Sequence, residues 1–182
     1  FVLRFDLEVE LLQDLTANKR LLAQAIESTA VHRGAGGVVQ GPFPSSRPGG
    51  TNLHDAVYLS ARELLKNEVG RKVLIILSDG EDTGSTKTLQ EALETAQRSD
   101  VIIYSVAVID RRFYFAASMG FSGDSVLKRY AEQTGGRGIE VSRMEDTAQA
   151  SREIAEELRT QYSLGYTSSN TRRDGSFRKI QV

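Results

Sequence analysis

The chain has 182 residues, 40% of them hydrophobic and 26% charged, with a formal net charge of −1, which is the size and composition of one ordinary globular domain. So even a charge balance argues against a nucleic-acid footprint, which needs a basic excess. No run approaches the roughly 18 apolar residues of a membrane span, no secretory leader pattern opens the sequence, and the absence of cysteine excludes disulfides, thiolate metal sites and cysteine nucleophiles.

Residues 1–6 and 7–12 read as two strands, or one long bent one. Val9 and Leu11 alternate with Glu8 and Glu10, the period of a half-buried hairpin arm. Leu21, Leu22, Ala25 and Ile26 form a helical stripe between Asn18 and Thr29. His32 to Gly50 is glycine-rich and holds all three prolines, a long loop of the kind that carries function. A helix follows Thr51, with Leu53, Ala56, Val57, Ala61, Leu64 and Leu65 on one face.

The run Lys72 to Leu77 then reads as a buried parallel strand, ending in Ser78-Asp79-Gly80. Thr88 and Glu91 have capping-box spacing and open a helix burying Leu89, Ala92, Leu93 and Ala96. Val101 to Ile109 is the longest apolar run and reads as a central strand. Val126, Leu127, Tyr130 and Ala131 mark a helix stopped by Gly135-Gly136. A short strand follows over 138–141, and Asp146 and Gln149 are placed to cap a last helix through Ile154, Ala155 and Leu158. Strand alternating with helix predicts a three-layer α/β sandwich with a mostly parallel sheet. Residues 161–182 read as an antiparallel hairpin around Asp174-Gly175, packed on the same domain.

A hydroxyl at Thr51 and a carboxylate at Asp79, both at strand-end loops, make a two-point anchor for a hard cation. Each has a simpler reading alone: Thr51 as a helix N-cap, Asp79-Gly80 as turn chemistry. His32 and His54 lack a third ligand at zinc spacing and read as surface or capping residues. The stretch from Gly80 to Thr88 lacks the spacing of a phosphate loop, and 120–124 is no nucleophile elbow, so no enzyme signature emerges.

Taken in series, Phe5-Asp6-Leu7-Glu8, Gly49-Gly50-Thr51-Asn52-Leu53-His54-Asp55-Ala56, Leu77-Ser78-Asp79-Gly80-Glu81-Asp82-Thr83, Thr134-Gly135-Gly136-Arg137 and Gln161-Tyr162-Ser163-Leu164-Gly165-Tyr166 resemble the von Willebrand factor A domains, and within them the "VWFA-related" proteins of acidobacteria. The resemblance implies a Rossmann-like α/β/α domain over residues 1–160, lacking the family's first strand and helix, with 161–182 as an extension.

It also implies a metal-ion-dependent adhesion site for Mg²⁺ (or Mn²⁺ or Ca²⁺), in which Thr51 and Asp79 are the ligands. Ser78, Gly50, Glu81 and Asp82 would line the rim or hold metal-bound water. Phe113, Tyr114, Phe115, Met119 and Phe121 would face a protein partner, or else form a small core under their own loop. The family's Asp-x-Ser-x-Ser loop has no counterpart in these 182 residues, so the cation would be held weakly or not at all. The strand that carries that loop is the middle of the family's sheet, and its loss would expose apolar surface on Phe1–Phe5 and Val73–Leu77. Three accounts stay open: an upstream segment, given that the chain opens mid-strand at Phe1; a partner strand, including one from a second copy; or an altered sheet. The family setting favours an extracytoplasmic location. The implied function is a non-catalytic interaction domain, the alternative a metal-free structural or oligomerisation module.

Overall fold

The computed structural model describes residues 1–6, 8–29, 51–108 and 123–160. The Pro/Gly-rich loop up to Gly50, the aromatic set Phe113, Tyr114, Phe115, Met119 and Phe121, and the expected hairpin over 161–182 lie outside the described residues.

The first two strands are β1 (Val2–Phe5) and β2 (Val9–Gln13), paired antiparallel as the alternation of Val9 and Leu11 predicts. Their register sets Arg4 opposite Glu10, and the two form an ion pair. Helix α1 (Lys19–Glu27) starts where Asn18 accepts a hydrogen bond from the Arg20 amide at 3.0 Å. Its apolar stripe is not the buried face that the periodicity predicts. Ala25 is buried, whereas Leu21 and Ile26 are 41% and 60% exposed. The helix rests on β1 and β2, and a two-stranded hairpin is too narrow to cover the whole stripe.

Helix α2 (Leu53–Leu59) continues through a wider π turn over Ser60–Leu65. Leu53, Ala56, Val57, Ala61 and Leu65 are buried, the face read from the sequence. Strands β3 (Lys72–Ser78), β4 (Val101–Val108) and β5 (Gly138–Val141) form a parallel sheet in that order. Helix α3 (Leu89–Arg98) links the first two strands, and α4 (Gly123–Thr134) precedes the third. A 3₁₀ turn (Met144–Asp146) leads into α5 (Thr147–Thr160).

Helices α2, α3 and α4 cover one face of this sheet. Leu53, Val57, Leu93, Leu127 and Tyr130 meet Ile76, Val101, Ile103 and Ala107 there. Helix α5 covers the other face, with Ala150 and Ile154 against Tyr104, Val106 and Val141. This is the expected three-layer α/β architecture. Polar groups inside it are paired: Ser105 donates to the Leu127 carbonyl at 3.1 Å, Thr134 accepts from the Ile103 amide at 2.8 Å, and Tyr104 donates to Glu157 at 2.8 Å.

One helix start is found as its spacing predicts. Thr88 and Glu91 form the full capping box, with bonds of 3.2 and 2.9 Å. At the start of α5, Asp146 pairs with Arg143, and Gln149 bonds Arg152 and Glu153.

The described strands fall into two separate sheets rather than one. Phe1 and Phe5 beside β1 nevertheless pack on the same core as Leu74 of β3. Among the described residues no strand pairs with the outer edge of β3, and Ile75 and Leu77 are 51% and 49% exposed, so β3 is parallel but not the buried strand that its apolar run predicts. Half-burial of such side chains forgoes about 1 kcal/mol each.

The stop after α4 depends on two glycines. Gly135 takes φ +84°, and the Gly136 amide bonds back to the Ala131 carbonyl at 2.9 Å, closing a Schellman end. A Cβ on Gly136 would sit 2.1 Å from the Ile103 carbonyl oxygen. Gly136→Ala is therefore expected to destabilise the fold by about 1–3 kcal/mol, the usual cost of overpacking. Urea unfolding of the variant checks this; an unchanged midpoint would mean that β4 yields without cost.

Candidate functional site

The C-terminal end of β3 and the N-terminal end of α2 are joined by hydrogen bonds running in both directions. The Thr51 carbonyl accepts from the Thr83 and Gly84 amides, each at 3.1 Å, and the Thr51 amide donates to the Thr83 hydroxyl at 3.2 Å. These bonds bring Thr51 to the segment that follows Asp79. They run to Thr83 rather than to Asp79 itself.

Thr51 is not the N-cap of α2. That position is Asn52, whose side chain makes no capping bond and instead donates to the Asp6 carbonyl at 3.2 Å. The first amides of the helix are satisfied from the other loop. Asp82 accepts from the His54 amide at 2.8 Å, and the Ser85 hydroxyl accepts from the Asp55 amide at 3.0 Å. Ser85 in turn donates to Asp82 at 2.6 Å. Asp55 returns the favour by accepting from the Thr86 amide at 2.9 Å and the Lys87 amide at 2.8 Å.

Asp79 lies at the exposed tip. One of its oxygens accepts from the Glu81 amide at 3.1 Å, closing a turn in which Gly80 takes φ +83°. Ser78 accepts from the Gly80 amide at 3.0 Å, and Glu81 is exposed. Asp82, by contrast, points inward. Gly50 lies outside the described residues. Among the described residues no group takes the Thr51 hydroxyl or the second Asp79 oxygen, and no three histidine or acidic side chains are placed to hold a metal ion together.

His54 is where the structure departs from the sequence reading. It is enclosed, not a surface residue. Its Nδ1 lies 3.0 Å from the Tyr130 hydroxyl and 3.7 Å from Asp82, and the two rings meet edge to face at 5.9 Å. Burial holds the imidazole below its ordinary 6.5, against the opposing pull of Asp82 and then Asp55. Burial also pushes the Tyr130 phenol up, and both carboxylates push it further. A phenol that keeps its proton donates to Nδ1 when the imidazole is the neutral Nε2–H tautomer. Ser85, Asp82 and His54 share one cluster, but the serine hydroxyl bonds the carboxylate rather than a ring nitrogen. That order does not make a nucleophile–base pair. The only sequence signal for this network was the Asp82 and Ser85 spacing, which by itself marks a turn.

As donors for a hard cation, Thr51 and Asp79 fit in kind: one neutral hydroxyl and one carboxylate. They do not suffice in number, since Mg²⁺ takes about six oxygens in octahedral geometry. Water, or groups beyond these two, would have to supply the rest.

A parallel sheet between helical layers, with polar loops gathered at the C-terminal strand ends, defines a Rossmann-like α/β domain. Residues 42–157, more than half of the chain, match the von Willebrand factor type A domain, and the chain belongs to that family. Such domains are generally interaction modules rather than enzymes, and they often bind a divalent metal. Among solved structures the chain is similar to the conserved hypothetical protein BatB from Bacteroides thetaiotaomicron. That likeness has TM-score 0.60 at 12% identity, over 87% of this chain and 78% of that one. An uncharacterized membrane spanning protein from Vibrio fischeri is also similar, with TM-score 0.40 and 18% identity over 85% and 74% of the two chains. At these identities the likeness to BatB speaks to the fold alone. No curated protein matches the chain. No helix among the described residues is long and apolar enough to cross a membrane.

The lowered His54 value gives a signed expectation. Its contribution to stability is complete above pH 6.5, where the unfolded imidazole is also neutral, and is lost as pH falls through the lower native value. His54→Gln should flatten that part of the stability–pH curve. Urea unfolding of both proteins between pH 7.5 and 5 measures it, and parallel curves would exclude His54 as the source.

Proposed function

We propose that this domain is a non-catalytic protein-interaction module that binds an acidic group of a partner through a divalent cation, with Thr51 and Asp79 as the chain's own ligands. The observation that carries the reading is the pairing of the two loops. Main-chain bonds from Thr51 reach the segment begun by Asp79, so a hydroxyl and an exposed carboxylate sit at the starts of two segments fastened to each other. Family membership supports it, because such domains often hold a divalent metal. A cation ligated by a neutral hydroxyl and one carboxylate retains positive charge and free coordination positions, which an acidic side chain can fill. Glu81 lines the exposed rim, while Ser78 secures the turn. Mg²⁺ is the ion favoured by this oxygen set, with Mn²⁺ or Ca²⁺ as substitutes. An extracytoplasmic setting goes with this reading.

A second reading has its own observation. The outer edge of β3 lacks a partner strand among the described residues, and Ile75 and Leu77 are half exposed beside it. Unpaired edges of this kind recruit strands. A metal-free structural module that associates with a second copy through this edge would bury them, and sedimentation of the chain at several concentrations separates monomer from dimer.

Thermal unfolding with EDTA, then with rising Mg²⁺ or Mn²⁺, tests the cation site. A ligand at about 100 times its Kd stabilises the native state by roughly 2.7 kcal/mol, which a melting curve resolves. Asp79→Ala is expected to abolish that rise with the metal-free midpoint preserved, and Thr51→Ala to weaken it less, since a hydroxyl contributes less than a carboxylate. No response of the unmodified chain at millimolar metal, or a full response in Asp79→Ala, would remove the cation site.

A further inference from the structure

The bonds between α2 and the segment after β3 form a reciprocal arrangement that neither segment could make alone. The first turn of α2 has amides that its own N-cap residue leaves uncapped, because the Asn52 side chain is turned to Asp6. Asp82 and Ser85, 28 and 30 residues further along the chain, cap them. Residues 82–87 in turn lie in no strand or helix. Four of their amides end at the start of α2: Thr83 and Gly84 on the carbonyl of Thr51, just before the helix, and Thr86 and Lys87 on the Asp55 carboxylate.

We infer that Asp55 and Asp82 are positioning residues that make the α2 N-terminus and the segment 79–88 one cooperative unit, setting where Thr51 and Asp79 stand relative to each other. Both oxygens of each carboxylate are already engaged. In Asp82, Oδ2 accepts from the His54 amide and the Ser85 hydroxyl, while Oδ1 accepts from the Ser85 amide at 3.2 Å. In Asp55, Oδ2 accepts from the Thr86 amide and Oδ1 from the Lys87 amide, and the Thr86 hydroxyl adds to both at 3.1 Å. A cation drawing on either carboxylate would compete with the main-chain bonds that close the loop. Thr51 lies three residues before His54, and Asp79 three before Asp82. Slack in the clasp therefore passes directly to both ligand positions. The clasp itself stands on the hydrogen bonds; only its consequence for cation binding rests on the function proposed above.

Native-state amide hydrogen exchange on the metal-free full chain tests the unit, with Mn²⁺-dependent melting as the second readout. In Asp55→Asn, faster exchange is expected at Thr86 and Lys87, which Asp55 touches, and also at His54, Thr83 and Gly84, which it does not. Asp82→Asn should loosen the same set, and Asp79→Asn should leave it unchanged. Loosening confined to the amides that each carboxylate contacts would overturn the inference. Where the unmodified chain responds to Mn²⁺, Asp55→Asn should weaken the affinity roughly 10–100-fold, the usual cost of losing a group that orients a ligand. Affinity unchanged in a loosened variant would overturn the positioning role. A chain with no Mn²⁺ response removes the cation reading, and the exchange pattern still decides the clasp. Should Asp82→Asn not fold, Ser85→Ala removes only the hydroxyl between Asp82 and the Asp55 amide and reads out at the same positions.

Discussion

Everything in this fold is referred to β4. It is the one strand with neighbours on both sides among those described, and it contributes to both cores: Val101, Ile103 and Ala107 to one face, Tyr104 and Val106 to the other. A strand sandwiched in this way must be apolar along its length, which is why residues 101–109 stand out in the sequence. Its few polar atoms are each matched by a neighbour. Thr134 at the end of α4 accepts from the Ile103 amide, and Glu157 of α5 accepts from the Tyr104 hydroxyl. Those bonds fix the two helices that sandwich it. The close approach of Gly136 to the Ile103 carbonyl sets the path from α4 into β5.

Because β3 runs parallel to β4, the carboxyl end of β3 opens onto the rim where the chain must turn toward α3. The segment that makes this turn has no ladder to join. Its amides need acceptors, and the nearest available are the carboxylate and carbonyl groups at the start of α2. The orphan amides of α2 meet the converse need. One helix end and one loop thus satisfy each other. Caps of this sort contribute about 1 kcal/mol apiece to helix stability. Their geometric effect is larger, because they join segments nearly 30 residues apart in the chain.

Local signals in the sequence carried far. The Thr88 and Glu91 box, the apolar runs of β3 and β4, the 138–141 strand and the double glycine after α4 all act within a few residues, and each is found where its pattern puts it. The misreadings concern contacts across distance. The stripe on α1 has helical period, yet periodicity does not say how wide a surface lies beneath it. His54 looks like a surface residue until α4 brings Tyr130 to its ring. The simpler reading of Thr51 as an N-cap does not hold either: Asn52 takes that position, and Asp82 and Ser85 from the far loop supply the capping bonds.

That last exchange bears on what the rim can do. The loop after β3 carries three acidic residues in four, Asp79, Glu81 and Asp82, and Asp55 lies close by. Were all of them free, a divalent ion held there would be over-neutralised, and a further carboxylate from a partner would be repelled. The structure divides them. Asp55 and Asp82 are taken up by main-chain amides at a helix N-terminus, where their charge is balanced by the aligned peptide dipoles. Asp79 remains outward with an oxygen to give. On the proposed reading, the positive charge left on the cation is what attracts an acidic partner, so the same bonds that hold the loop in shape also keep the site hungry for an anion.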